Sequence, residues 1–198
     1  MRQQDHETIE SWRLFIAIEL PVEIRHTIKQ HIERLRAELP KVRASWVREQ
    51  NLHLTLKFFG DTPLSRVELV SRAMQAATTG INQFDIDLRE RGSFPPRGKP
   101  SVLWVGIEDS SANLNQLHNA LEDECERAGF ARDARSFHPH LTIARLRGSQ
   151  GARDLADLHK STDLPAMLVT VQEVCLIRSE LSSDGSRYTV VARFRLTS

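Results

Sequence analysis

The 198-residue chain has only two cysteines, Cys125 and Cys175. They lie too far apart in sequence for a metal or redox pair, and two are too few for a disulfide scaffold. A reducing compartment is expected. Long apolar runs are missing as well: none approaches the roughly 20 residues that a membrane helix needs. Neither sign of charge dominates. Lys and Arg total 27 against 26 Asp and Glu, a formal net charge of +1. There is no global basic field to gather long nucleic acid. No segment is of low complexity, and no serine or cysteine nucleophile motif is visible. The opening MRQQDHETIE is polar and contains acids, unlike a secretory or organellar leader. The expectation is a cytoplasmic protein. What remains is ordinary: 40% hydrophobic and 27% charged residues, in a length that suits one domain or two small lobes sharing a core.

Hydrophobic periodicity alternates between strand and helix. Residues 1–11 read as a flexible tail, and 12–198 as a single domain. LFIAIEL (14–20) reads as a strand. Pro21 then opens a helix, as proline does in a first helical turn. Ile24, Ile28, Ile32 and Leu35 recur at helical spacing up to about Glu38. Residues 42–47 are extended, 51–59 form a strand, and 63–78 a helix. Residues 84–88 alternate as a strand does, and 91–100 is a loop rich in proline and glycine. The order then begins again: a strand at 101–108, a helix at 110–128, a strand at 137–146 and a short helix near 154–160. Two final strands, 167–178 and 188–196, flank a turn at 183–186.

The recurrence is specific. Leu14-Phe15-Ile16-Ala17-Ile18-Glu19 matches Leu103-Trp104-Val105-Gly106-Ile107-Glu108 at an offset of 89. His53-Leu54-Thr55-Leu56 matches His140-Leu141-Thr142-Ile143 at an offset of 87. A helix lies between the two motifs in each half. Two independent motifs with such similar offsets indicate a duplicated β-α-β unit and a pseudo-twofold architecture. It is a two-copy repeat, not a solenoid, which needs three or more units.

Duplication makes the histidines informative. Alternate residues of a strand share a face. His53 and Thr55 therefore point one way, and Leu52, Leu54 and Leu56 the other. His140 and Thr142 share a face opposite Leu141 and Ile143. The apolar faces enter the core, so a twofold axis would turn both histidine faces toward one groove. Histidine titrates near pH 6.5, so one copy can act as base while the other acts as acid. Threonine hydroxyls suit non-bridging phosphoryl oxygens. Phosphodiester cleavage fits this set.

The paired His-x-Thr-x motifs resemble those of the two-histidine (2H) phosphoesterases. RLFIAIELP, NLHLTLKFFGD, VLWVGIE, FHPHLTIAR and LIRSELSSDGSRY, in this order from about Arg13 to the C-terminus, are similar to the bacterial RNA 2′,3′-cyclic phosphodiesterases, the 2′-5′ RNA ligase family. The resemblance implies a bilobed α+β fold with antiparallel sheets facing a central cleft. It implies hydrolysis of a terminal 2′,3′-cyclic phosphate to a 2′-phosphomonoester without metal or cofactor, and a reversible 2′-5′ joining activity. It implies His53 as proton donor, His140 as proton acceptor, and Thr55, Thr142 and Arg145 as phosphate contacts. RNA ends bearing cyclic phosphate are then the expected partner, with no membrane and a monomeric state. Pseudo-symmetry leaves the two histidine roles open to exchange. Alternation places Arg145 on the Leu141 face instead, unless a bulge intervenes. Trp46 either stacks on a base or covers the core.

Two other functions fit parts of the pattern. His138 and His140 are two apart and could share a zinc ion with His53, although Pro139 disturbs the alternation and the threonines go unexplained. A non-catalytic RNA-end binding module would keep a basic cleft but needs no acid–base pair. Cations cluster near the motifs: Arg132, Arg135, Arg145 and Arg147 in one stretch, Lys41, Arg43, Arg48 and Lys57 in another, and Arg91, Arg97 and Lys99 in the loop. That suits a nucleic-acid end. His6, His26, His31, His118 and His159 read as surface residues.

Overall fold

The computed structural model describes residues 10–183 and 185–198. The expected tail, 1–11, falls largely outside them, as does Asp184 of the expected 183–186 turn. Among the described residues, nine strands and four α-helices follow in the order β1 (Ser11–Glu19), α1 (Val22–Glu38), β2 (Ala44–Trp46), β3 (His53–Pro63), α2 (Leu64–Thr78), β4 (Phe84–Phe94), β5 (Val102–Glu108), α3 (Asn113–Arg127), β6 (His140–Leu146), α4 (Ala152–Ser161), β7 (Met167–Val171), β8 (Glu173–Ser182) and β9 (Gly185–Arg195). No helix among the described residues is long and apolar enough to cross a membrane.

The strands form two antiparallel sheets, one per lobe, flanked by helices and facing a cleft. The first has the order β3-β1-β8-β9 and the second β2-β6-β5-β4-β7. The repeated units are β1-α1-β3 and β5-α3-β6, and each places its two repeat strands side by side. The lobes also exchange chain. The short β2, from the first half, pairs with β6 at the edge of the second sheet. Strands β8 and β9 complete the first sheet beside β1. The pairing in the two units differs by a two-residue slip: Ala17 faces Thr55, whereas Gly106 faces His140. An even slip keeps every side chain on its own face, so the duplication tolerates it.

Two sequence expectations need correction. The run from Met167 to Arg178 is two strands. β7 pairs with β4 in the second sheet, and after Gln172 the chain enters β8 in the first. Its apolar residues on both sides of Gln172-Glu173 conceal the crossing, because Met167, Val169 and Val171 and then Val174 and Leu176 enter one continuous core. The expected loop at 91–100 begins later, since β4 continues to Phe94. There Gly92 lies under the indole of Trp104, where an added Cβ would come within 2.1 Å of the ring. That close approach is the reason a glycine sits inside a strand.

The core unites the lobes. Leu14, Ile16, Ile18, Leu54 and Leu56 from the first sheet join Leu103, Val105, Leu141 and Ile143 from the second in a single apolar cluster. Within it lies a polar pair that the sequence reading assigned to the surface. His31 and His159 are 1% and 0% exposed. His31 is three residues after Ile28 and His159 four after Leu155, so each falls on its helix's core-facing stripe. Their ring nitrogens, His31 Nε2 and His159 Nδ1, are 2.9 Å apart, and His159 Nε2 donates to the Trp104 carbonyl at 2.9 Å. That carbonyl can only accept, so neutral His159 holds its proton on Nε2 and accepts at Nδ1. His31 must then donate from Nε2, which leaves its Nδ1 without a partner. Burial pushes both imidazoles down to about 4; His159 and then Arg91 add to this at His31, while at His159 the Trp104 carbonyl opposes it and Arg91 and Lys160 add to it.

The sign of the linkage follows. The unfolded chain takes protons near pH 6.5, which the folded pair refuses until about 4. Stability is therefore complete above pH 6.5 and is lost as pH falls through this window, by on the order of 3 kcal/mol for one such histidine. Urea denaturation at pH 7 and pH 5 is expected to show about 2 kcal/mol of this loss, and His31→Phe to shrink it. Equal pH slopes for wild type and variant would contradict the assignment.

Candidate active site

Both motif histidines are held in the same way. His53 Nδ1 lies 2.7 Å from the Asn51 carbonyl, and His140 Nδ1 lies 2.7 Å from the His138 carbonyl. Each ring thus donates to the backbone two residues upstream. This fixes the tautomer and leaves Nε2 as the working nitrogen: a base when the ring is neutral, an acid when it is charged. Thr55 Oγ1 is 3.0 Å from His53 Nε2. Asn51 is itself tied across the sheet, its Nδ2 donating to the Ser186 carbonyl at 2.8 Å.

The faces alternate as the motifs require, up to the threonine. Leu54 and Leu141 are fully buried, while Thr55 is exposed and Thr142 half-buried. Each strand then departs from alternation at the same place. In the first sheet Ala17 pairs with Thr55 and Ile16 with Lys57, so Leu56 is an extra residue. In the second Trp104 pairs with Thr142 and Leu103 with Ala144, so Ile143 is extra. A bulge puts two residues opposite one and shifts the parity beyond it. Ile143 and Ala144 are consequently both buried, and Arg145 emerges exposed on the His140 face. Simple alternation had placed it on the Leu141 face; the bulge resolves that conflict. In the first lobe the equivalent bulge buries Lys57 and exposes Phe58. Phe58, half exposed with the Arg13 guanidinium 4.9 Å from its ring, thus occupies the position that Arg145 holds in the other lobe. The sequence reading missed it.

The rings around each histidine differ. His53 lies 4.9 Å from Phe15 and meets the edge of Tyr188 at 5.4 Å, within a small apolar cluster that also includes Ala17, Cys175 and Ile177. His140 meets Phe94 edge-on at 5.1 Å. Burial lowers the pKa of both histidines below 6.5. At His53 the Asn51 carbonyl and the Glu19 carboxylate oppose the shift; at His140 the His138 carbonyl opposes it, and the Arg145 charge adds to it. Arg145 is therefore near enough to be felt by the second histidine.

Other predicted residues are placed elsewhere. Trp46 pairs with Ala144, and residues directly opposite share a face. Its side chain therefore packs on the core side and not on the His140 face. His138 is exposed, and His53, His138 and His140 do not bring their ligand atoms together. Among the described residues one group does converge, Glu19, Glu173 and Cys175, and the Arg193 guanidinium is bound to both of its carboxylates. The expected cluster of cations thins out as well. Arg132 pairs with Asp123 and Glu126, Arg135 with Asp133, and Arg91 donates to the Lys160 and Leu164 carbonyls. His26 is exposed as expected, 3.5 Å from Glu49. His118 instead stacks on Phe137 at 3.9 Å, and His6 lies outside the described residues.

Lys57, turned inward by its bulge, joins the lobes. Its Nζ donates to both Glu122 oxygens and to the Ala131 carbonyl, each at 2.8 Å. Glu122 Oε2 also accepts from the Asp133 amide at 3.1 Å. The first motif strand is thereby fixed to α3 and to the segment that leads into β6.

Comparison with known proteins gives a consistent result. The 2′-5′ RNA ligase superfamily matches residues 24–182. The RNA 2′,3′-cyclic phosphodiesterase of Methanothermobacter thermautotrophicus is 33% identical over 187 residues, covering 93% of this chain and 98% of that protein. The protein of the same description from Escherichia coli K12 is 30% identical over 194 residues, covering 95% and 98%. The crystal structure of E. coli LigT with 3′-AMP superposes with a TM-score of 0.72 at 29% identity, covering 96% of this chain and all of that one. LigT structures with phosphate and with ATP are similar too.

Proposed function

The chain belongs to the 2′-5′ RNA ligase superfamily of 2H phosphoesterases, and from that premise we propose that it hydrolyses ribose 2′,3′-cyclic phosphates at RNA ends to 2′-phosphomonoesters. The observation that carries this reading is the matched anchoring of the two histidines, each with Nδ1 on a backbone carbonyl and Nε2 left to exchange a proton. In the proposed cycle, neutral His140 takes a proton from water as the water oxygen bonds to phosphorus. Charge grows on the non-bridging oxygens, where the hydroxyls of Thr55 and Thr142 and the Arg145 guanidinium meet it. Imidazolium His53 gives its Nε2 proton to the 3′ oxygen as that bond breaks. One proton enters at His140 and one leaves from His53, so exchange with solvent resets the pair. If the 5′-hydroxyl of another RNA replaces water, the same steps form a 2′-5′ linkage. No step is assigned to a metal ion.

The experiment is incubation of purified protein, in EDTA, with a nucleoside 2′,3′-cyclic phosphate, resolving 2′- from 3′-monophosphate. The 2′-phosphate is expected. The 3′-phosphate would show that the 2′ oxygen leaves and overturn the assigned pose. Turnover abolished by EDTA and restored by zinc would replace the two-histidine scheme with a metal hydrolase. Binding of cyclic-ended RNA without any turnover would make the protein a binding module.

A further inference from the structure

A second cationic feature lies at the edge of the second sheet. The last turn of α1, the segment 39–43, β2 and the residue just beyond β6 enclose an open pocket of about 750 Å³. Arg36, Lys41, Arg43 and Arg147 line it, with Glu33 the one acid. All four cations are exposed. In a chain whose net charge is +1, four cations against one acid is a marked local departure. Six other surface arginines are neutralised by neighbours. Arg72, Arg127, Arg132, Arg135, Arg178 and Arg193 each have a carboxylate partner. Among the described residues the side chains of Arg36, Lys41 and Arg43 have none, and no hydrogen bond either. Arg147 spends only Nε, donating to Ser45 Oγ at 2.9 Å. The negative end of the α1 dipole accounts for Arg36 in the last helical turn. It does not account for the other three, which come from the loop and from the far strand. Glu33, moreover, faces Lys29 at 3.9 Å.

The pocket also has an aromatic wall, Trp46, half-buried and turned away from the histidine face. Cations that track a backbone beside an aromatic ring that accepts a base are the parts of a single-strand nucleic-acid site. The pocket is reached along the strand that carries the second histidine, since Arg147 lies one residue beyond β6. Ser45, which holds Arg147, pairs in register with Arg145, and Arg145 acts on the charge of His140. From His140 to Arg147 the chain is extended or nearly so, which at about 3.3 Å per residue places the pocket roughly 20 Å from the histidine. One nucleotide cannot span that distance, but a strand of a few nucleotides can.

We propose that this pocket is a backbone subsite for single-stranded RNA, holding phosphodiesters upstream of the cyclic end that lies at the histidines. The inference rests on the function proposed above and extends it: the substrate class is an oligoribonucleotide, and the mononucleotide is a truncated substrate.

The test compares the wild type with the triple variant Arg36→Glu, Lys41→Glu, Arg43→Glu. These residues are exposed and have no side-chain partner, so folding is not at stake. Each protein is given a nucleoside 2′,3′-cyclic phosphate and a short oligoribonucleotide with the same terminus. Turnover of the nucleotide is expected to be unchanged. KM for the oligonucleotide is expected to rise about tenfold or more. The dependence of log KM on log salt should flatten by about 2, because three phosphate contacts at about 0.7 each are lost. Unchanged KM and salt slope for the oligonucleotide would overturn the subsite. A wild type that turns over neither compound would count against the proposed function instead. Anisotropy of the labelled oligonucleotide would then still decide the subsite: weaker binding to the variant upholds it, and equal binding removes it. A duplex of the same length that binds as tightly as the single strand would overturn the single-strand assignment.

Discussion

Alanine at His140 or at His53 is expected to lower kcat on a cyclic nucleotide by about 10²- to 10⁴-fold, the usual worth of one positioned proton transfer. Affinity for the product is expected to fall far less, because the proposed phosphate contacts, Thr55, Thr142 and Arg145, are kept. The double variant is expected to lose less than the product of the two single effects, since groups that act in one step are not additive. The pH profile carries more information than the rates. The active species needs one imidazole charged and the other neutral, so kcat/KM is bell-shaped, and its limbs belong to the pair rather than to either ring. Burial lowers both histidines below 6.5. The bell for the free enzyme is therefore expected to be centred on the acid side of pH 6.5. A bound phosphate anion favours the charged ring, so the kcat profile should lie at higher pH. His53→Ala removes the alkaline limb if His53 is the acid, and His140→Ala the acid limb if His140 is the base. Loss of the opposite limbs would exchange the two roles. A kcat/KM that rises without a maximum through pH 8 would sink the paired scheme.

Local pattern revealed the duplicated unit. Each repeat strand has a period of two that buries Leu54 or Leu141 and turns the histidine and threonine the other way, and both copies retain it. What lay beyond local pattern depended on partners distant in the chain. Leu56 and Ile143 are bulged because of the register with β1 and β5, and no property of either residue announces it. Alternation read alone therefore misplaced Arg145 and passed over Phe58. His31 and His159 are 128 residues apart and meet only when α1 and α4 pack. A lone histidine on a helix looks solvated until its counterpart is known. The crossing at Gln172 was hidden for a related reason: β7 and the first half of β8 both feed the same core, and what separates them is the sheet each one joins. Trp46 offered two readings with nothing local to choose between them, and the pairing of β2 with β6 turns it away from the His140 face.

Breaking the Lys57–Glu122 pair is expected to have a large effect on stability. Lys57 is 5% exposed and Glu122 3%. All three ammonium protons have acceptors, two on Glu122 and one on the Ala131 carbonyl. Lys57→Met keeps the volume but strands a buried carboxylate whose remaining donor is the Asp133 amide. Removing one member of such a pair costs about 3–5 kcal/mol, which for a chain of this size lowers Tm by roughly 10 °C. Glu122→Leu should cost a similar amount. The pair itself need not be a net stabiliser, because desolvation opposes the attraction. The double variant Lys57→Met/Glu122→Leu is therefore expected to recover most of the loss, with a coupling of several kcal/mol in the cycle. Its kcat separates folding from positioning. The pair ties the strand of His53 to α3 and to the approach to β6, so a refilled, stable interface without it should still show slower turnover at unchanged pH optimum. Two results would count against this account: Lys57→Met within about 1 kcal/mol of wild type would show that the carboxylate is not buried as described, and full activity in the stable double variant would confine the pair to a structural role.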